Sequence, residues 1–131
     1  MAATPAFTAV PRISYGSVSV ANTARDGTGT IVDVISGAST GTKINEVILK
    51  ATGQPADSVV TLFLYDGTNT YLLDEIDIGA PVAGSTTVAA YRNNIVYTNL
   101  VLPNASWKLR AAVTVTCTSG AINVIALGGD F

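Results

Sequence analysis

Histidine is absent from the 131-residue chain, and with it go the commonest general base and the commonest metal ligand. Neither a Ser-His-Asp nor a Cys-His nucleophilic centre can be assembled from these residues. The single cysteine, Cys117, permits no disulfide within the chain and leaves the redox compartment open. Charged residues make up 12% of the sequence, about half the usual share. The seven basic residues are scattered from Arg12 to Arg110 and the formal charge is -2. Such a chain has no electrostatic footprint for a phosphate backbone, and direct nucleic-acid binding is not expected. No apolar run approaches the roughly 18 residues of a membrane helix, so no membrane partner is expected. The start, Met1-Ala2-Ala3-Thr4-Pro5, lacks the basic region and apolar stretch of a secretory signal, which implies synthesis in a cytoplasm.

What is present is apolar and hydroxylated. Apolar residues account for 48% of the chain, while 17 threonines and nine serines supply polarity without charge. A surface of that kind suits strands, and its low charge gives an isolated small protein little protection from association. Part of it is therefore expected to be covered by other subunits. The length and the even composition imply one domain with one core.

The strongest local signal is residues 59–78. Val59-Val60-Thr61-Leu62-Phe63-Leu64-Tyr65 is β-branched and aromatic, and a second strand, 71–78, follows the turn Asp66-Gly67-Thr68-Asn69. Because Asp74, Glu75 and Asp77 lie on the second arm alone, that arm is expected near a sheet edge, with Asp74 facing opposite to the other two. Residues 12–21 alternate, with Val18 and Val20 on one face and Ser17 and Ser19 on the other. A loop over 22–29 leads to a strand at 30–35. Residues 43–51 read as a strand rather than a helix, since Val47, Leu49 and Ala51 share a face. A further strand is expected over 85–96. From Trp107 the alternation is clean, with Trp107, Leu109, Ala111, Val113, Val115 and Cys117 on one face, and Ser119-Gly120 turns the chain back into 121–127. Residues 1–11, with two prolines and no periodic face, read as an extended N-terminal arm preceding a domain over 12–131. About eight strands without an amphipathic helix imply an all-β, single-domain β-sandwich of jelly-roll kind, with a flattened barrel as the alternative.

Candidate chemistry is sparse. Cys117 shares the Val113 face and reads as a small buried hydrophobe. Asp74, Glu75 and Asp77 match no calcium-loop spacing and diverge along the strand, so they read as solvated edge charges. Residues 25–30, Arg-Asp-Gly-Thr-Gly-Thr, lack the lysine and the following helix of a phosphate loop. The ending Gly128-Gly129-Asp130-Phe131 shares letters with a cyclic-dinucleotide synthase signature but lacks its glutamate. Asn104-Ala105-Ser106 is a bare glycosylation match. No catalytic residue, metal site or cofactor is expected. Tyr15, Tyr65, Tyr71, Tyr91, Tyr97 and Trp107 could supply an aromatic platform for a sugar, although a sandwich core uses the same residues.

Pro11-Arg12-Ile13, the run 21–30 (Ala-Asn-Thr-Ala-Arg-Asp-Gly-Thr-Gly-Thr), the run 62–70 (Leu-Phe-Leu-Tyr-Asp-Gly-Thr-Asn-Thr) and the ending Ile125-Ala126-Leu127-Gly128-Gly129-Asp130-Phe131 together resemble small structural proteins of tailed bacteriophages and prophages. The resemblance extends over nearly the whole chain and carries over no catalytic residue. It implies a virion component: a capsid decoration or cement protein, homo-oligomeric with a trimer favoured, on the capsid surface over junctions of the major capsid protein. The alternatives are a carbohydrate- or receptor-binding module of a tail fibre and a tail or head-completion subunit. On the first reading, Phe7 and Val10 anchor the arm to the capsid or a neighbour, with Arg12 at its base, and Asn22, Arg25 and Asp26 in the 22–29 loop form a second contact.

Overall fold

Period-2 alternation interrupted by Gly, Asn and Pro drives each apolar face toward another sheet. In the computed structural model, which describes residues 8–79 and 81–131, this produces β1 (Val10–Val18), β2 (Val32–Ser36), β3 (Thr42–Ala51), β4 (Ser58–Tyr65), β5 (Thr70–Gly79), β6 (Arg92–Leu102), β7 (Lys108–Val113) and β8 (Ile122–Asp130). None of the described residues is helical. The strands form two antiparallel four-stranded sheets, ordered β1-β8-β3-β6 and β2-β7-β4-β5. Every connection crosses from one sheet to the other except β4 to β5. Ile44, Val47, Leu49, Ile122 and Val124 of the first sheet meet Val34, Ile35, Val60, Leu62, Leu109 and Val113 of the second in the core, as an all-β sandwich requires.

The β4-β5 hairpin forms where the sequence places it, and β5 is an edge strand. Its turn is fixed locally: the Asp66 carboxylate accepts the backbone N–H groups of Asn69 at 2.7 Å and Thr68 at 2.8 Å, and Gly67 sits at φ 99°. Those two donors, Asn69 first, hold the Asp66 carboxyl below the ordinary aspartate value.

The acidic arm of the hairpin is more engaged than a row of solvated edge charges. Asp74 lies on the side of the buried Ile76 and Ile78 and accepts a 3.0 Å hydrogen bond from the Tyr97 hydroxyl of β6, in the facing sheet. Burial, then the bond to Asp74 and its charge, push the Tyr97 phenol well above its ordinary value. Glu75 points outward to Arg25.

Several boundaries differ from the sequence expectation. β1 ends at Val18 and Val20 is exposed. Val10 and Pro11, counted with the arm, are the first residues of β1, opposite Asp130 and Gly129; Phe7 lies outside the described residues. The strand expected over 85–96 starts at Arg92, because the Ser85 hydroxyl accepts the amides of Val88 and Thr87 and makes a turn there instead. The long alternation from Trp107 stops at Val113, where Ala111, Ala112 and Val113 are all buried. Val115 is exposed, and Cys117 returns to the core as expected. Its successor β8 joins the opposite sheet rather than pairing with β7. Burial also pushes the Cys117 thiol up, away from the reactive thiolate.

β3 changes phase midway. Ile44 pairs with Gly128 and Glu46 with Leu127, leaving Asn45 as an extra residue in a bulge. The bulge lets Ile44 and Val47, three apart, both face the core. It also carries the Lys43 carbonyl so close to Gly128 that a Cβ there would lie 1.8 Å from the oxygen. Gly128→Ala is therefore expected to lower the unfolding free energy by roughly 1–3 kcal/mol or more, read as a shifted urea midpoint with unchanged slope.

Tyr97 yields a pH prediction. Its folded-state pKa lies above the unfolded value of about 10, so the associated stability is complete below that pH and is lost as pH rises beyond it. Tyr97→Phe is expected to lose about 1–2 kcal/mol at neutral pH and to flatten the alkaline decline in thermal stability. An alkaline profile unchanged by the substitution would count against the Tyr97-Asp74 pair.

Candidate interaction surface

The two sheets differ in what covers their outer sides. On β4, Val60 and Leu62 face the core, so Thr61 and Phe63 point the other way, yet both are fully buried. The 22–29 loop accounts for this. It leaves β7 through the Asn22 amide, which donates to the Val113 carbonyl at 2.8 Å. It reaches the far strand β5, where Arg25 pairs with Glu75 and Gly27 packs against Thr70. Thr61 and Phe63 lie in the rows of Glu75 and Leu72, so this strap crosses over them. Asn22 holds the strap shut: its amide nitrogen donates to the carbonyls of Thr28 and Thr30, both at 2.9 Å, and its oxygen accepts the Ala24 amide at 3.0 Å. Asp26 closes a smaller turn by accepting the hydroxyl and amide of Thr28, which lower its pKa.

The residues expected to make contacts are thus placed as follows. Val10 is exposed at the start of β1. Arg12 is folded inward, bonding Asp130 at 3.0 Å and the Ser36 carbonyl at 3.1 Å. Asn22 is buried, and Arg25 is spent on Glu75. Asp26 is exposed on the strap, with its carboxylate held by Thr28. The strap and the base of the arm lie apart, and most of their polar groups serve the chain's own folding.

The outer side of the β1-β8-β3-β6 sheet has no such strap among the described residues. Antiparallel registers align its outward side chains in rows. Ile13, Leu127, Glu46 and Val96 form one row, and Tyr15, Ile125, Ile48 and Asn94 the next. Ile13 is 69% exposed, Tyr15 67% and Val96 72%, values that single out an apolar patch rather than scattered surface residues. The end row is polar, with Ser17, Asn123, Lys50 and Arg92. Between β1 and β8 the patch dips into a shallow depression of about 430 Å³ bounded by Ile13, Ser14, Tyr15, Asn123 and Ile125. Glu46, the one carboxylate on these rows, is held by the Asn94 amide at 2.8 Å.

No protein-family model matches the chain, and no curated protein sequence matches it. Among solved structures, it is similar to a chain of the cyanophage Pam1 capsid asymmetric unit, at 19% identity and a TM-score of 0.43, covering 98% of this chain and 91% of that one. It is also similar to chains of infectious bursal disease virus, Gx and Gt strains. Identities there are 14% and 17% and both TM-scores are 0.34, with 99% of this chain spanning 36% and 34% of those. Likenesses this distant carry no argument about what the chain does.

The patch was legible in one respect that the sequence reading missed. Residues 122–127, Ile-Asn-Val-Ile-Ala-Leu, are apolar in both phases, with Ile122, Val124 and Ala126 turned inward and Ile125 and Leu127 outward. A strand apolar on both sides belongs to a sheet covered on both sides. The contrast between the two sheets is testable by denaturation. Phe63→Ala is expected to cost about 3–5 kcal/mol because the strap buries it, and Ile13→Ser to stay within about 0.5 kcal/mol because nothing in the isolated chain covers it.

Proposed function

We propose that the chain is a structural component of a virus particle, a capsid decoration or cement protein that holds major capsid subunits together by stoichiometric binding and performs no chemistry. The observation that carries the reading is the uncovered apolar face of the β1-β8-β3-β6 sheet, a surface built for contact rather than for a small substrate. The strand orders β1-β8-β3-β6 and β2-β7-β4-β5 support the jelly-roll reading of the sandwich, an architecture found in viral capsid and lectin domains. The fold alone does not select a function, but the phage-like runs noted in the sequence point the same way. A homo-oligomer, with a trimer as first choice, accounts for the low charge, since hydroxyls and amides exchange water for protein partners more cheaply than unpaired ions do. The first eleven residues, with Phe7 and Val10 as anchors, serve as the capsid contact on this reading.

A second reading has one specific observation in its favour. The exposed Tyr15 ring stands beside Asn123 and Ser17 at the shallow depression, an aromatic face with polar neighbours of the kind that sugars use. It would make the chain a receptor-binding module, and a positive glycan array abolished by Tyr15→Ala would favour it.

The primary reading is tested on the virus particles themselves. Added protein is expected to raise the temperature at which capsids burst, through binding to the assembled state. Removing residues 1–7 is expected to abolish attachment while circular dichroism stays unchanged. That deletion spares the Ala9 amide, which donates to the Asp130 carbonyl at 2.7 Å, and all of β1. Electron cryomicroscopy showing the chain confined to the tail, or absent from the particle, would overturn the assignment.

A further inference from the structure

The seven basic residues divide into two sets. Arg12 pairs with Asp130, Arg25 with Glu75, and Lys108 and Arg110 both with Asp33, with Arg110 also lying 4.0 Å over the Tyr65 ring. The other three, Lys43, Lys50 and Arg92, have no carboxylate partner among the described residues. All three occupy outward positions on β3 and β6, around the apolar patch, where Glu46 is the one acid. Lys43 stands in the row of Gly129 and Val101, and Lys50 in the row of Arg92.

Apart from Glu46, held by Asn94, and Asp74, held by Tyr97, the acids without a cationic partner lie elsewhere. Asp26 is on the strap, Asp66 in the β4-β5 turn beside it, Asp77 on the outward side of β5, and Asp57 just before β4. Asp26, Asp57 and Asp77 are exposed, and exposed Tyr71 and Leu72 lie on the same strand as Asp77. The sandwich is therefore polar through its thickness. With Glu46 set against Lys43, Lys50 and Arg92 on the first side, and Arg25, Lys108 and Arg110 set against Asp26, Asp33, Asp66, Glu75 and Asp77 on the second, one outer side keeps a surplus of cations and the other a surplus of carboxylates.

We infer that the outer face of the β1-β8-β3-β6 sheet docks a second copy of this chain, which it meets through the acidic, strap-covered side of that copy. The inference rests on the homo-oligomer reading above and supplies its contact. Charge complementarity selects the occupant. A back-to-back pairing of two identical cationic faces would bring Lys43, Lys50 and Arg92 toward their own copies, whereas head-to-tail stacking brings them to the side that carries Asp26, Asp66 and Asp77. Contacts between unlike surfaces add copies one after another, and because the two surfaces are opposite sides of one sandwich, the copies stack as an open column. Four strands about 4.8 Å apart give a face of a few hundred Å², short of the roughly 800 Å² per partner of a stable complex. The association is accordingly expected to be in the micromolar range and weakened by salt.

Sedimentation velocity on the full chain and two paired variants tests this. One variant reverses the face, Lys43→Glu with Arg92→Glu; the other reverses the back, Asp26→Lys with Asp77→Lys. Circular dichroism and urea midpoints establish that both fold. The unmodified chain is expected to form higher species in low salt, and each variant alone to associate at least tenfold more weakly. An equimolar mixture should recover higher species like those of the unmodified chain, because both face-to-back contacts between unlike variants are complementary. A chain monomeric at all concentrations, or a back variant that associates like the unmodified protein, would overturn the inference. So would a mixture that stays monomeric. Because capsids take no part in the measurement, its failure leaves capsid attachment to be judged separately, and failed attachment leaves the copy-to-copy contact standing.

Discussion

The carboxylate of Asp130 ties the two ends of the fold together. It accepts from Arg12 at 3.0 Å and 3.2 Å and from the Thr42 hydroxyl at 2.7 Å, while Arg12 reaches on to the Ser36 carbonyl at 3.1 Å and Thr42 accepts the Ala38 amide at 2.9 Å. One side chain thus links the first strand, the last strand, the start of β3 and, through Arg12, the end of β2. A charge-assisted network of this kind is favourable because the ions are only partly withdrawn from water and every oxygen has a donor. The neighbouring residues serve the same closure. Gly128 lets β3 approach, Gly129 leaves no room for a side chain against Thr8 and the Val10 carbonyl, and the Phe131 amide donates to the Gly41 carbonyl at 3.0 Å. What looks in letters like a nucleotide-synthase signature is the clasp of a sandwich.

That clasp also sets the corner where the sheets come nearest. Arg12 bridges from β1 to β2, and a Cβ on Gly16 would lie 2.5 Å from the Asp33 carbonyl oxygen. With β1 drawn onto β2, the chain between them must leave the edge and return. It does so as the strap across the outer side of β7, β4 and β5. The same constraint that closes the sandwich covers one outer side, and it leaves the sheet containing β1 with none of that connection to cover its own.

The strands were readable because their alternation is a local property. The β4-β5 turn, the choice of strand over helix for β3 and the edge position of β5 all follow from neighbouring residues. What could not be read depends on distant ones. Phe63 looks like half of a buried strand in any reading, but whether its outward neighbours meet water or a strap is decided by Asn22, some forty residues earlier. The alternation from Trp107 to Cys117 suggests a single strand, and only the isolated bridge from Ala21 to Val113 shows that another segment takes over the pairing there. The candidate surface lay hidden for the same reason: Ile13, Tyr15, Ile48, Ile125 and Val96 come from four strands whose order in the sheet bears no relation to their order in the chain.

Charge is where the folding problem and the contact problem separate. Four cations are used inside the molecule, at the clasp, on the strap and across β2 and β7, each beside a carboxylate that anchors it. In a chain this poor in charge, the remaining cations would be expected to scatter if they served solubility alone. They instead frame one apolar sheet face, where Glu46 is the one carboxylate, while Asp26, Asp66 and Asp77 lie on the strap, the β4-β5 turn and β5. A charge framing an apolar patch adds little to the stability of the free domain, but it governs which surface can approach and in what orientation. Stability therefore resides in the clasp, the strap and the core, none of which uses the outer face of the β1-β8-β3-β6 sheet, so substitutions on that face leave the fold in place.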